Sequence, residues 1–288
     1  MIELDQSLTA RLETHRQHLL ANNHLSLRAK ISNFMDRVVY KDEQEYLENP
    51  DLPMELRLKL VEDLSRLWDK SGYHKILVGE LAALINNARN ADAIGKPIAI
   101  LDIGFGGGGL IRAIYHWSMR KKIPVHLSGL DLSKDFVQLI QEKLNFEEIP
   151  AKLFQANACD LKGFQDNSVD FVISSAMLHH IRNADQVASF FREVHRIARI
   201  GWLIVDLDRR FWGPLFNIIT STFFITPMPL IRDGIKSFRR AYKTSEINFV
   251  LDEIRKSDGL QNMTCQPHPV FPFWSVKGIK NGGAARPL

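Results

Sequence analysis

Residues 98–110 read IAILDIGFGGGGL. A short apolar run ends in a carboxylate, Asp102, and opens into glycines at 104 and 106–109 before an apolar helical pattern starts at Leu110. Bounded by Pro97 on one side and glycines on the other, the run has the texture of a strand buried on both faces of a parallel sheet. Similar runs recur downstream as VHLSGLD, AKLFQANA, FVISSA and WLIVDLD, and helical patterns at Leu110–Lys121, Lys134–Asn145 and Gln186–Ala198 separate them. That alternation predicts an α/β architecture, a doubly wound sheet with helices on both faces. QNMTCQPHP and FWSVKGIK supply two further strands, making seven, and Thr244 is placed to cap the helix before them.

The 95 residues upstream have a different texture. Leu4, Leu8, Leu12 and Leu19 form a first helical stripe; Leu56, Leu60, Leu64 and Leu67 form a second behind Pro53, ended by Gly72; and Ile76, Leu77, Leu81, Leu84 and Ile85 form a third before the polar run NNARNADAIGKP. The expected organisation is a helical cap over residues 1–95, a sheet domain over 96–280 with an apolar insertion at about 209–243, and a flexible tail at 281–288.

Composition narrows the partners. The 288 residues hold 37 Lys and Arg against 33 Asp and Glu, spread along the chain, so no nucleic-acid partner is indicated. Cys159 and Cys265 lack metal-ligand spacing and the N-terminus is polar, which reads as a reduced, cytoplasmic protein. Phe211–Ile231 is the most apolar stretch, but Asn217, Thr220, Pro227 and Pro229 interrupt it, so no transmembrane segment is expected. A monomer or a homodimer fits equally.

The glycine turn after the first strand lets backbone amides approach a ligand without Cβ obstruction, at the carboxyl end of a strand where nucleotide-type ligands bind. Gly104, Gly106 and Gly109 also satisfy the G-x-G-x-x-G of dinucleotide folds, so the glycines alone do not choose a cofactor. Asp102 does help choose. A carboxylate just before the turn opposes a pyrophosphate but suits the ammonium and sulfonium of S-adenosylmethionine. Asp131, at the end of the second strand in GLDLS, can accept hydrogen bonds from both ribose hydroxyls, as it could in a nicotinamide-dependent enzyme.

The next stretch, QANACDLKGFQDNSVDFVISSAMLHHI, joins LDIGFGGGG and GLDLS in an order that resembles the small-molecule class I S-adenosylmethionine-dependent methyltransferases, including the ubiquinone and menaquinone biosynthesis type. The likeness runs over about residues 98 to 210: Asn157-Ala158 stands where that family has an acid and Ala, Leu161 to Phe164 at its turn, Ser168-Val169-Asp170 at Ser-Phe-Asp, and Leu178-His179-His180 at Leu-His-His. The resemblance implies a Rossmann-like seven-stranded sheet with an antiparallel last strand and S-adenosylmethionine as cofactor. By the same likeness Asp102, Gly104, Phe105, Gly106 and Gly108 would cradle the cofactor. Asp131 would hold the ribose, Leu132, Asn157 and Ala158 would lie by the adenine, and Ser174 would sit where the fourth strand opens into the pocket. Asn157 replaces the usual acid, and Arg199-Ile200-Gly201 replaces a Lys-Pro-Gly-Gly turn. A looser likeness outside the core, in ENPDLPMELRLKLVEDLSRLW, VDLDRRFW and IRDGIKSFRRAYKTSE, is to methyltransferases of bacterial polyketide-type pathways.

Methyl transfer from a sulfonium is an in-line displacement in which positioning supplies much of the rate. For a phenol or enol acceptor a base helps, and His179 and His180, after the fourth strand, are the candidates; packing or capping is the alternative for either. No third ligand accompanies the pair, so no metal is expected. Asp206, Asp208, Arg209 and Arg210 either line the acceptor pocket or form solvated ion pairs, and Asp233, Ser237, Arg239, Arg240 and Tyr242 either hold an acceptor anion or form a surface salt-bridge cluster. The stretch Phe211–Ile231 reads as a lid over an apolar acceptor, as a packing or dimerisation surface, or as a peripheral membrane contact, although it lacks the polar face of an interfacial helix. The expected reaction is methylation of a small, largely apolar acceptor, hydroxylated aromatic, quinone-like or polyketide-like, at oxygen or carbon. The rivals are an NAD-dependent oxidoreductase, which Asp102 opposes; an RNA or protein methyltransferase, which would show a basic face or an Asn-Pro-Pro-Tyr-like motif where this chain reads SSAMLHH; and an inactive cofactor-binding regulator.

Overall fold

The computed structural model describes residues 7–21, 26–88, 96–260, 263–269 and 272–280. The expected tail, Leu4 and the boundary near residue 95 lie outside the described residues. Seven strands form one sheet: β1 Ile98–Ile103, β2 Val125–Asp131, β3 Ala151–Gln155, β4 Val169–Ser175, β5 Ala198–Leu207, β6 Thr264–Pro267 and β7 Phe273–Ile279, in the order β3-β2-β1-β4-β5-β7-β6. The first five are parallel, and β7 runs antiparallel to both β5 and β6. The chain steps outward from β1 to β3, then crosses back to β4 beside β1. The strand order therefore reverses between β1 and β4, where a crevice opens at the carboxyl ends. Register aligns Asp102 with Gly129 and Ile173, so Asp102, Asp131, Ser175 and Asp206 all come to that one edge.

Alternation along the strands divides the core into two layers. Leu101, Ile103, Val172, Trp202 and Ile204 pack with residues of α7 (Ala184–Ile197) and α10 (Thr244–Asp258), whereas Ile100, Phe171, Ile173, Leu203 and Val205 pack with α4 (Tyr73–Ala88), α5 (Gly109–Lys121) and α6 (Lys134–Phe146). The N-terminal helices divide between these layers. α1 (Leu8–Ala21) buries Leu12 in the first and ties its start to Asp185 (Leu8 N–Oδ1 2.8 Å), while α4 buries Leu77, Leu81 and Ile85 in the second. α3 (Met54–Lys70) contacts α4 and α5. An additional helix, α2 (Leu27–Val39), falls where the leucine stripe gave no separate element.

The insertion folds as α8 (Gly213–Phe223) and α9 (Met228–Arg240). α8 begins with Pro214 in its first turn, the position where a missing N–H costs nothing. α9 is strongly two-sided and buries Leu230, Asp233, Ser237, Phe238 and Arg240. Thr244 is not the cap of α10: Lys243 occupies that place, the Lys243 amide donates to Glu246 Oε2 (3.0 Å), and the Thr244 hydroxyl is used on Asp208 Oδ2 (3.1 Å).

Candidate active site

The glycine turn is shaped by its neighbours. Gly104 has φ +76°, and a Cβ there would come 2.4 Å from Met177 Cγ, so both conformation and space require glycine. At Gly106, φ +50°, a Cβ would meet nothing nearer than Val61 at 3.9 Å, which leaves open space above the turn. Gly108, at φ +73°, precedes α5 and turns that helix's first amides toward the same space. Phe105 is buried beneath it.

Two carboxylates face this space. Asp102 is buried, and its Oδ2 has no hydrogen-bond partner among the described residues. Burial and the neighbouring Asp131 carboxylate push its acid up to about 7. Asp131 is also raised by burial, although the amides of Ser133 (3.0 Å), Gly106 and Leu132 offset part of that cost. An orphaned buried carboxylate beside an open glycine turn is the donor set for a cationic, hydroxylated ligand, and S-adenosylmethionine fits it. With a folded acid above its unfolded value, the free protein loses stability as pH rises from about 4 to about 7. A bound cation reverses the cost. Affinity for S-adenosylmethionine is therefore expected to rise between about pH 6 and 8, by up to tenfold per unit below the transition, with proton release on binding. Calorimetry in two buffers of different ionisation enthalpy checks this; an affinity and proton count flat with pH would refute it.

The other expected cofactor residues are placed as follows. Leu132 is exposed at the rim, 70% accessible, beside Asp131. Asn157 Oδ1 accepts from the Cys159 amide (2.9 Å), which closes the turn that carries Ala158 and commits one of its acceptor positions. Ser174 is buried, and its hydroxyl donates to the Ile103 carbonyl (2.8 Å), tying β4 to β1 instead of presenting itself to the crevice.

After β4 a short 3₁₀ turn, Leu178–His180, places the two histidines with ring centroids 4.3 Å apart. His179 is buried. Its Nδ1 lies 2.7 Å from Asp206 Oδ1, and its amide donates to Oδ2 (3.2 Å). A carboxylate only accepts, so Nδ1 carries the proton and Nε2 is the free nitrogen. Burial alone would raise the Asp206 acid, but the His179 ring and the Leu207 and His179 amides outweigh it and hold that carboxyl low. His180 is half-exposed, within electrostatic reach of Asp131, with Nδ1 2.7 Å from Glu48 Oε1 and 2.6 Å from Arg240 Nη2. A guanidinium only donates, so His180 satisfies one of these neighbours at a time.

Two acids that the sequence did not single out complete the cluster. Glu45 precedes and Glu48 ends a second 3₁₀ turn, Tyr46–Glu48, whose Tyr46 and Leu47 amides donate to Asp233 of α9 (2.6 and 3.0 Å). Glu45 Oε1 is 3.7 Å from His179 Nε2, 2.8 Å from Arg240 Nη2, and accepts from Ser237. Burial raises its acid despite these partners, whereas His180 and Arg240 more than offset burial at Glu48 and hold it low. Ligand atoms of Glu45, His179 and His180 lie within 4.8 Å of one another, so the lack of a third ligand does not hold as a reason against a metal. Arg240 supplies positive charge at that place. The ion pairs expected at the surface are largely internal: Arg209 with Glu246 is buried, as are Asp208, Asp233 and Arg240. A narrow cleft reaches His179 from outside, walled by Tyr40, Arg182, Arg240 and Tyr242.

Residues 101–205 match the family model described as "Methyltransferase domain". The match places a methyltransferase domain over residues 101–205. S-adenosylmethionine is the cofactor that the orphaned Asp102 carboxylate, Asp131 and the open glycine turn fit. The chain is 30% identical over 148 residues to the ubiquinone/menaquinone biosynthesis C-methyltransferase UbiE of Geotalea uraniireducens (strain Rf4), an alignment over 50% of this chain and 59% of that protein. The chain thus spans less than two thirds of the curated relatives it matches. Among solved structures, the plantazolicin methyltransferase BpumL, in complex with a monoazolic desmethylPZN analog and SAH, has a TM-score of 0.55 at 15% identity, over 94% of this chain and all of that one. The CMeT domain of the citrinin polyketide synthase has a TM-score of 0.55 at 17% identity, over 93% of this chain and 65% of that one. These likenesses place the methyltransferase domain and its outlying helices in the class I fold.

Proposed function

We propose that the chain transfers a methyl group from S-adenosylmethionine to a small, largely apolar acceptor, a hydroxylated aromatic, quinone-like or polyketide-like compound, at oxygen or carbon. The observation that carries this reading is His179, oriented through Nδ1 by Asp206 and with Nε2 left to take a proton, at the crevice edge that also holds Asp102 and Asp131. The cofactor supplies an electrophilic methyl group. Asp102 and Asp131 would hold its cationic and hydroxylated parts, and the amides of the glycine turn its closest-approaching atoms. His179 Nε2 would accept the proton of the acceptor's hydroxyl or enol as nucleophilic character develops, with Asp206 stabilising the imidazolium. His180 and Arg240 would orient the acceptor oxygen from the cleft side. α8 and α9 would close over it and exclude water, the role in which the lid reading places them. The printed name of UbiE, a C-methyltransferase, supports carbon as the methylated atom, whereas a shorter match, to a Caenorhabditis elegans protein, carries the name of a phosphoethanolamine N-methyltransferase. Free Cys159 and Cys265 accord with a reducing, cytoplasmic setting.

Isothermal titration with S-adenosylhomocysteine and, separately, NADH tests the reading without the acceptor. The expected result is binding of the first alone. NADH binding without S-adenosylhomocysteine binding would overturn the assignment.

A further inference from the structure

α2 and α8 each turn an apolar face to solvent. On α2, Leu27, Ile31, Phe34 and Val38 follow one helical side and are exposed, Phe34 by 60%, while Asn33 and Asp36 on another side bind Lys243 Nζ at 3.0 and 2.7 Å. α8 has no charged residue; Gly213 and Ser221 are its buried positions, and Leu215, Ile218, Ile219 and Phe223 lie outward, Phe223 by 79%. The two segments are linked where the amide of Phe211, just before α8, donates to Asp36 Oδ1 of α2 (2.8 Å), with the Phe211 ring partly exposed beside it. Runs of exposed apolar side chains along one helix side mark an interaction surface rather than scattered surface hydrophobics.

The charges along these segments have one sign. From Leu27 to Lys41 the basic side chains among the described residues are Lys30, Arg37 and Lys41, and the one acid, Asp36, is buried. From Phe211 to Arg240 those not buried are Arg232, Lys236 and Arg239; Arg240 is buried on Glu45 and Glu48, and the one acid, Asp233, is buried. Glu43 pairs with Lys41 and Arg239, and Glu13 lies 3.9 Å from Arg37, but both acids come from outside the two segments. α8 alone lacks the polar face of an interfacial helix because its polar residues are used inside: Asn217 donates to the Ile231 carbonyl (2.8 Å) and accepts from Ser221. The polar complement comes from α9 and the start and end of α2.

We propose that the α2–α8 face docks on an anionic phospholipid bilayer, with its apolar side chains entering the interfacial layer and its lysines and arginines meeting lipid phosphates. A second copy of the chain is the poorer occupant, because a two-fold contact through this face would oppose the same basic segments to each other. The inference rests on the surface and holds whether or not methyl transfer is the reaction.

The test is co-sedimentation of the tag-free full chain with phosphatidylcholine vesicles, with and without about 30 mol% phosphatidylglycerol, at low and high salt. Binding to the anionic vesicles is expected, at least about tenfold weaker to neutral ones, and reduced by salt. The double substitutions Ile31→Glu with Phe34→Glu, and Ile219→Glu with Phe223→Glu, each reduce it by about tenfold or more while circular dichroism stays native, since these positions are exposed. Failure of the wild-type chain to sediment with anionic vesicles overturns the proposal, as does undiminished binding by both double variants. So does a dimer in light scattering that the same substitutions dissolve while the wild-type chain ignores vesicles; the face would then be a homodimer interface.

Discussion

His179→Ala is expected to lower kcat by about 10²- to 10⁴-fold on any phenolic or enolic acceptor that the wild-type chain methylates, with little change in the affinity for S-adenosylhomocysteine. The range is that of a positioned general base. The ring earns this assignment through Asp206, whose carboxylate accepts from both the Nδ1 proton and the His179 amide and so fixes the tautomer and the rotamer together. Asp206→Asn separates a positioning role from a packing one. The amide keeps the volume but can present its NH₂ group to Nδ1, which reverses the tautomer and leaves Nε2 protonated. Its kcat should fall with KM nearly unchanged, and the acid limb of the pH–rate profile should move. Removal of His180 should act chiefly on KM, because that ring is half-exposed and shared between Glu48 and Arg240. Full activity in His179→Ala would assign the dyad to the architecture alone and leave proton removal to solvent.

Asp131→Ala carries the second large effect, a loss of S-adenosylhomocysteine affinity of the order of 10²-fold, the loss of two hydrogen bonds to a charged acceptor. Asp131→Asn, which keeps one acceptor, should fall between. The alanine variant has a second consequence. It removes the like charge that helps raise Asp102, so the pH at which cofactor affinity rises should move down. Titration at several pH values reads both effects, and unchanged affinity in Asp131→Ala would mean that this carboxylate does not face the cofactor.

The parts of the molecule legible in the sequence are those written locally. Asp102 and its glycines sit within eight residues of each other, strand runs alternate with helix runs, and the resemblance carried the antiparallel last strand, found as β7 beside β5. What was not legible depends on contacts across the chain. Glu45 and Glu48 reach the histidines only because Asp233, nearly 190 residues away, takes two amides of the turn between them. In the sequence they are two acids in KDEQEYLEN. α2 is seated by Asp36 on Lys243 and Phe211 in the same long-range manner. Arg209 fits a solvated ion pair by type, since arginine is ordinarily exposed. Its burial follows from Glu246, 37 residues on, which neutralises it inside the fold. Thr244 has a cap's composition, yet Asp208 competes for its hydroxyl.

The Asp233 clamp also bears on the charge around the base. One carboxylate fastens α9 to the Tyr46–Glu48 turn, so the two walls beside His179 are held together as one piece. Glu45, Glu48 and Arg240 therefore sit on one linked unit beside the histidines. The charge around the base is set by a single joint, and a change at Asp233 would disturb all three together.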